Sequence, residues 1–182
     1  MSIVLTVPHA KEPGSDLSAL EFLKNVESVL TLREMEYYSV LGNKPRKVLD
    51  LSTSLARGTE YHDELATVLG MSDILVEVHS HNEDSDVEYS EFDFVVCELP
   101  EFTDEDMADT LMNSLEPFGD TTVETVKPSN HYPAVLSELI FKNDAIILSV
   151  GDNSNERFIG AAESLVDFVA GSLDRRISVA RS

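Results

Sequence analysis

The sequence predicts a single α/β domain of three layers, with a mixed, mostly parallel central sheet and helices on both faces. Three observations predict it. Short apolar runs of strand length alternate with amphipathic stretches of helix length from residue 3 to residue 173. Several runs, such as "AIILSV" and the Glu77-interrupted "ILVEV", are apolar on both alternating faces, as strands covered from both sides are. The chain has 182 residues and is 42% hydrophobic, enough to bury about 70% of its unfolded surface. The domain reads as residues 1–174, with a C-terminal tail over 175–182.

Each element has its own local reason. Ile3–Val7 is a short buried-type strand. "GSDLSALEFLKNVESVL" reads as a helix capped by Asp16 or Ser18, with Leu20, Leu23, Val26 and Leu30 on one face. "EYYSVL" is a strand, "GNKPRK" a turn with two breakers, and "KVLDLS" another short strand. "TEYHDELATVLG" is a helix closed by Gly70. Ile74–Val78 is an apolar strand broken only by Glu77. "VEYSEFDFVVCEL" alternates and then turns fully apolar. "TDEDMADTLMNSLEPFG" opens with Thr103 and acidic residues, which suit a helix N-terminus, and ends in Pro and Gly. "TTVETVK" alternates as a strand. "AVLSELIF" and "AIILSVG" are two apolar strands, and "NERFIGAAESLVDFVAGSL" is a long amphipathic helix. "DRRISVARS" reads as a loose tail.

Charge and cysteine content narrow the function classes. Thirteen basic residues stand against 34 acidic ones, a formal charge of −21. Such a surface repels nucleic acid and anionic membranes. The acid is spread through the chain, and only six residues are lysine. This composition is that of proteins from high-salt cytoplasms, where self-repulsion is screened, or of an ordinary acidic protein. Cys97 is the single cysteine, so neither an internal disulfide nor a cysteine metal cluster is expected. "MSIVLTVPHA" lacks the basic start of a signal peptide, and no run reaches the roughly 18–20 apolar residues of a membrane span. Synthesis in a cytoplasm is expected. Action outside would need release by other means, for instance with a virus particle.

In open α/β sheets, functional groups gather at the carboxyl ends of strands. The first strand is followed by His9 and Glu12. The Ile74–Val78 strand is followed by His79, Ser80 and His81. Glu138 stands inside the apolar run "AVLSELIF". Two histidines and a glutamate on neighbouring strand ends match a catalytic zinc site, and a further glutamate would serve as general base. Each residue also has an ordinary reading: His9 as a cap, Glu12 as a solvated turn residue, His79 as a satisfied core histidine, His81 as a surface one. Glu138 is the least ordinary, because a carboxylate in an apolar run is costly unless paired or metal-linked. The acidic stretch "NEDSDVEYSE" lacks the spacing and glycine of a calcium loop and reads as solvated.

His-x-x-Glu followed by a strand ending His-Ser resembles the zinc motif of metallocarboxypeptidases and N-formylglutamate amidohydrolases. A longer resemblance, over about residues 3–172, is to zinc-dependent N-acetylmuramoyl-L-alanine amidases of the amidase-3 type. Their Gly-His-Gly-Gly and Asp-Pro-Gly segment is similar to "VPHAKEPGSD", their strand "DLFISIHANA" to "DILVEVHSHN", and their catalytic strand "PAVLVELGFLSN" to "YPAVLSELIFKND". The resemblance implies a phosphorylase/hydrolase-like fold, a Zn²⁺ ion held by His9 and His79, and Glu138 as the catalytic glutamate. The middle ligand is Glu21 by the amidase pattern and Glu12 by the carboxypeptidase pattern. Arg57 or His81 would orient substrate or stabilise an oxyanion. The chain departs from the amidases in having "PHA" for their glycine-flanked histidine. Two functions follow: a zinc amidohydrolase acting on a cell-envelope amide, a peptide or a small N-acyl amino acid, or an inactive relative serving as a structural or binding module in a larger assembly such as a virus particle.

Overall fold

The computed structural model describes residues 2–10, 17–43, 58–69, 74–81, 91–98, 105–125, 144–151 and 155–180. The strands are β1 (Ser2–Val7), β2 (Glu36–Leu41), β3 (Ile74–His81), β4 (Phe94–Glu98), β5 (Thr121–Thr125) and β6 (Asp144–Gly151). The helices are α1 (Leu17–Leu32), α2 (Glu60–Leu69), α3 (Glu105–Leu115) and α4 (Asn155–Ala180). The strands form one sheet in the order β2-β1-β3-β6-β4-β5. β2, β1, β3 and β6 are mutually parallel, β4 runs antiparallel to β6, and β5 is parallel to β4. The expected mixed, mostly parallel sheet with helices on both faces is the architecture observed.

Period-two alternation divides the apolar strand residues between two cores. Ile3, Leu5, Val7, Ile74, Val76, Val78, Ile146 and Leu148 face α1, α3 and α4. Three rings lock this side: Phe22 meets Phe158 edge-on at 5.4 Å, and Phe94 lies 6.2 Å from Phe22 and 6.4 Å from Phe158. Each such ring, fully buried, is worth about 1.5–3 kcal/mol. The opposite face carries Val4, Val40, Leu75, Val95, Cys97, Ala145 and Ile147 under Tyr61, Leu65 and Leu69 of α2. Thr59 caps that helix, its Oγ1 accepting from the His62 amide at 3.2 Å.

Element ends differ from the local reading where pairing decides. β3 runs on past Val78 because its ladder with β6 continues to the pair His81↔Gly151. α3 stops at Leu115 and passes into a 3₁₀ turn at Glu116–Phe118, where Pro117 cannot extend the α ladder. α4 continues to Ala180, through the segment read as a tail; no Gly or Pro interrupts residues 172–180. The strands expected at 47–52 and 134–141 lie outside the described residues.

Candidate functional site

The α2-facing side of the sheet turns polar at the carboxyl ends of β1, β3 and β6. Because side chains two apart share a face, Leu75, Glu77, His79 and His81 of β3 all point this way. Thr6 lies beside Glu77 in the β1–β3 register, and Ser149 beside His79 in the β3–β6 register. These groups are sealed: Thr6 and Glu77 are fully buried, and His79 and His81 nearly so. Just past β1, the turn at residues 8–10 closes with the Ala10 amide on the Val7 carbonyl at 3.4 Å. It delivers His9, also fully buried, to the same end of the sheet.

The His9 and His79 rings are 5.8 Å apart, centroid to centroid, tilted by 60°. Two imidazoles bound to one tetrahedral ion at the usual 2.0–2.1 Å put their centroids about 5 Å apart. The observed separation is within about 1 Å of that of two ligands on one ion. Among the described residues no group of three or more His, Cys, Asp or Glu side chains converges as a metal site. Glu21 is exposed on α1 and is not gathered with the two histidines. Glu12, Glu138 and Arg57 lie outside the described residues.

Hydrogen bonds fix the remaining polar groups. His79 Nε2 meets Glu77 Oε1 at 2.6 Å. Thr6 Oγ1 donates to the Val40 carbonyl at 2.7 Å, which leaves its oxygen to accept from the Tyr61 hydroxyl at 2.9 Å. Burial, followed by the charge of Glu77, pushes the Tyr61 phenol up, against the opposing bond to Thr6. The phenol is thus neutral and acts as a donor. His81 is held through both ring nitrogens. Nε2 donates to the Phe92 carbonyl at 2.8 Å, and Nδ1 bonds Ser149 Oγ at 2.9 Å. As placed, His81 ties β3 to β6 and to the entry of β4. A Cβ added at Gly151 would crowd the Phe92 carbonyl oxygen that His81 bonds, at 3.1 Å.

Glu77 is the group that the sequence reading passed over. The signal was present, since it is a carboxylate in an apolar strand, the same feature that singled out Glu138. Being two residues before His79, it also had to share that residue's face.

The fold and its polar strand ends define a class, the three-layer α/β domain with an amidase-like fold. No protein-family model matches the chain, and comparison with curated proteins finds no match. Solved structures do match in shape. The N-acetylmuramoyl-L-alanine amidase from Clostridium difficile 630 aligns with a TM-score of 0.58 at 16% identity, covering 95% of this chain and 97% of that one. A bacteriophage poly-gamma-glutamate hydrolase aligns with a TM-score of 0.61 at 12% identity, covering 95% and 85%. A metallo-carboxypeptidase from Burkholderia cenocepacia gives 0.59 at 10% identity, covering 96% of this chain and 57% of that one. At such identities the likeness is one of fold.

Proposed function

We propose that the chain is a zinc-dependent amidohydrolase. One observation carries the reading: two buried imidazoles, from the ends of adjacent parallel strands, lie 5.8 Å apart, close to the separation of two ligands on one ion. The similarity in fold to amidases, to a poly-gamma-glutamate hydrolase and to a metallo-carboxypeptidase supports the same reaction class.

In this reading His9 and His79 hold the metal with Glu12, three residues after His9, as the third ligand. The ion, when bound, supplies Lewis acidity towards the amide carbonyl. Glu138 takes the proton of the attacking water and returns it to the departing amine, so that neither a hydroxide nor an amide anion has to form free. Arg57 pairs with a carboxylate or developing oxyanion of the substrate. His81 braces the strand that carries His79. Substrates of this class are a cell-envelope amide, a γ- or α-linked peptide, or an N-acyl amino acid.

The test pairs metal content with turnover. Wild-type protein supplied with Zn²⁺ is expected to retain about one ion per chain and to release amine from at least one member of a panel of muropeptides, glutamyl peptides and N-acyl amino acids. His79→Ala should lose the ion. Glu138→Gln should keep the ion and lose turnover by a factor of about 10² or more. A wild-type chain that retains no zinc overturns the proposal. Zinc retained without turnover on the whole panel transfers the domain to the inactive, binding-module reading.

A further inference from the structure

We infer that Glu77 is a positioning residue for the metal: its carboxylate holds the Nε2–H of His79, and so commits Nδ1 of that ring to the ion. The inference rests on the zinc reading above and goes beyond it by assigning a residue that touches neither metal nor substrate.

The geometry separates this role from that of a ligand. Two donors bound to one tetrahedral ion at 2.0–2.1 Å lie about 3.3 Å from each other. Glu77 Oε1 and His79 Nε2 are 2.6 Å apart, a charge-assisted hydrogen bond rather than a pair of co-ligands. A carboxylate oxygen can only accept, so the proton sits on Nε2 and the lone pair is on Nδ1. A neutral imidazole offers a metal one nitrogen, and its other N–H, held by a carboxylate, fixes both tautomer and ring angle.

Position and cost point the same way. Glu77 is fully buried in the middle of the sheet, flanked by Thr6 of β1 and by β6, under the helix that carries Tyr61. A carboxylate there costs stability, since an apolar residue would pack the same seam without desolvating a charge. Its carboxylate bonds the histidine two residues on. That is the place where a charge raises the donor strength of the imidazole.

The experiment uses the full chain freed of metal. Zn²⁺ affinity is measured by chelator competition, stability of the metal-free form by urea unfolding, and ligand field by the visible spectrum of the Co²⁺ form. Glu77→Gln keeps an acceptor for Nε2–H but loses the charge. We expect metal-free stability no lower than wild type, an affinity about tenfold weaker, and a shifted Co²⁺ band. Glu77→Leu removes the acceptor and should weaken binding about 100-fold. Unchanged affinity and an unchanged Co²⁺ spectrum in Glu77→Gln would overturn the inference while leaving the zinc reading intact. A wild-type chain that binds neither ion overturns both.

Discussion

At the scale of the residue, burial decides which titratable groups can react. Cys97 sits on the α2 side of the sheet, and burial pushes its thiol up to about 12, with the charges of Glu124 and Glu77 adding to the effect. At pH 8 about one molecule in ten thousand would carry the thiolate, the reactive form. The native protein should therefore resist a disulfide reagent that labels it at once in urea; labelling of the folded chain at the rate of a free thiol would refute the burial. The sign of the pH effect follows. The unfolded thiol loses its proton near pH 8.5 and the folded one does not, so stability falls as pH rises from there towards 12. The same scale explains which site residues were legible. His9 and His79 could be picked out as polar groups at the ends of apolar runs. The outward position of Glu21 was implicit in the pattern Ala19, Phe22, Leu23, Val26, whose buried face excludes it. The two partners of His81 could not be read, since Ser149 and Phe92 reach it only through tertiary pairing.

At the scale of the element, local pattern located strands well and their ends and directions poorly. Residues 36–41 carry the expected strand, and β6 covers the apolar run starting at Ala145 with one residue added. The extension of β3 to His81 and the reversal of β4 and β5 belong to ladders between distant segments, which periodicity along the chain does not encode. One such long-range contact sets the position of His9. Gly42, just past β2, donates its amide to the Val7 carbonyl at 2.9 Å. An added Cβ there would stand 1.6 Å from the Pro8 carbonyl oxygen and 2.4 Å from its carbon. Both are backbone atoms, so either the end of β2 or the turn bearing His9 must shift. Gly42→Ala should cost about 1–3 kcal/mol of stability and weaken Zn²⁺ binding. Leu41→Ala, at a 44% exposed neighbour, should leave metal affinity unchanged. Urea unfolding and metal titration of the two variants check this; a Gly42→Ala protein as stable as wild type would show that the approach is looser than the geometry requires.

At the scale of the whole molecule, charge acts on every element at once. A formal charge of −21 on 182 residues, with 34 acidic groups against 13 basic ones, leaves most carboxylates without a cation to face. Ion pairs such as Arg33–Asp167, which links the turn after α1 to α4 at the surface, offset little of this, since exposed pairs are worth about 0.2–1 kcal/mol. The compact state crowds these charges together and the unfolded chain spreads them, so repulsion lowers stability in dilute buffer. Salt shortens the reach of each charge from about 30 Å at 0.01 M to about 10 Å at 0.1 M and about 3 Å at 1 M. The melting temperature should therefore rise steeply over the first few tenths molar of KCl and flatten towards about 1 M. The shape of the curve identifies the cause, because salt exclusion from apolar surface strengthens burial in proportion to concentration and does not level off. Thermal melts in KCl, repeated with an uncharged osmolyte, separate the two. A melting temperature that does not change between 0.01 M and 1 M KCl would show that the carboxylates are spaced widely enough for repulsion to be negligible. A saturating rise absent from the osmolyte series would assign the effect to the charge of the chain itself.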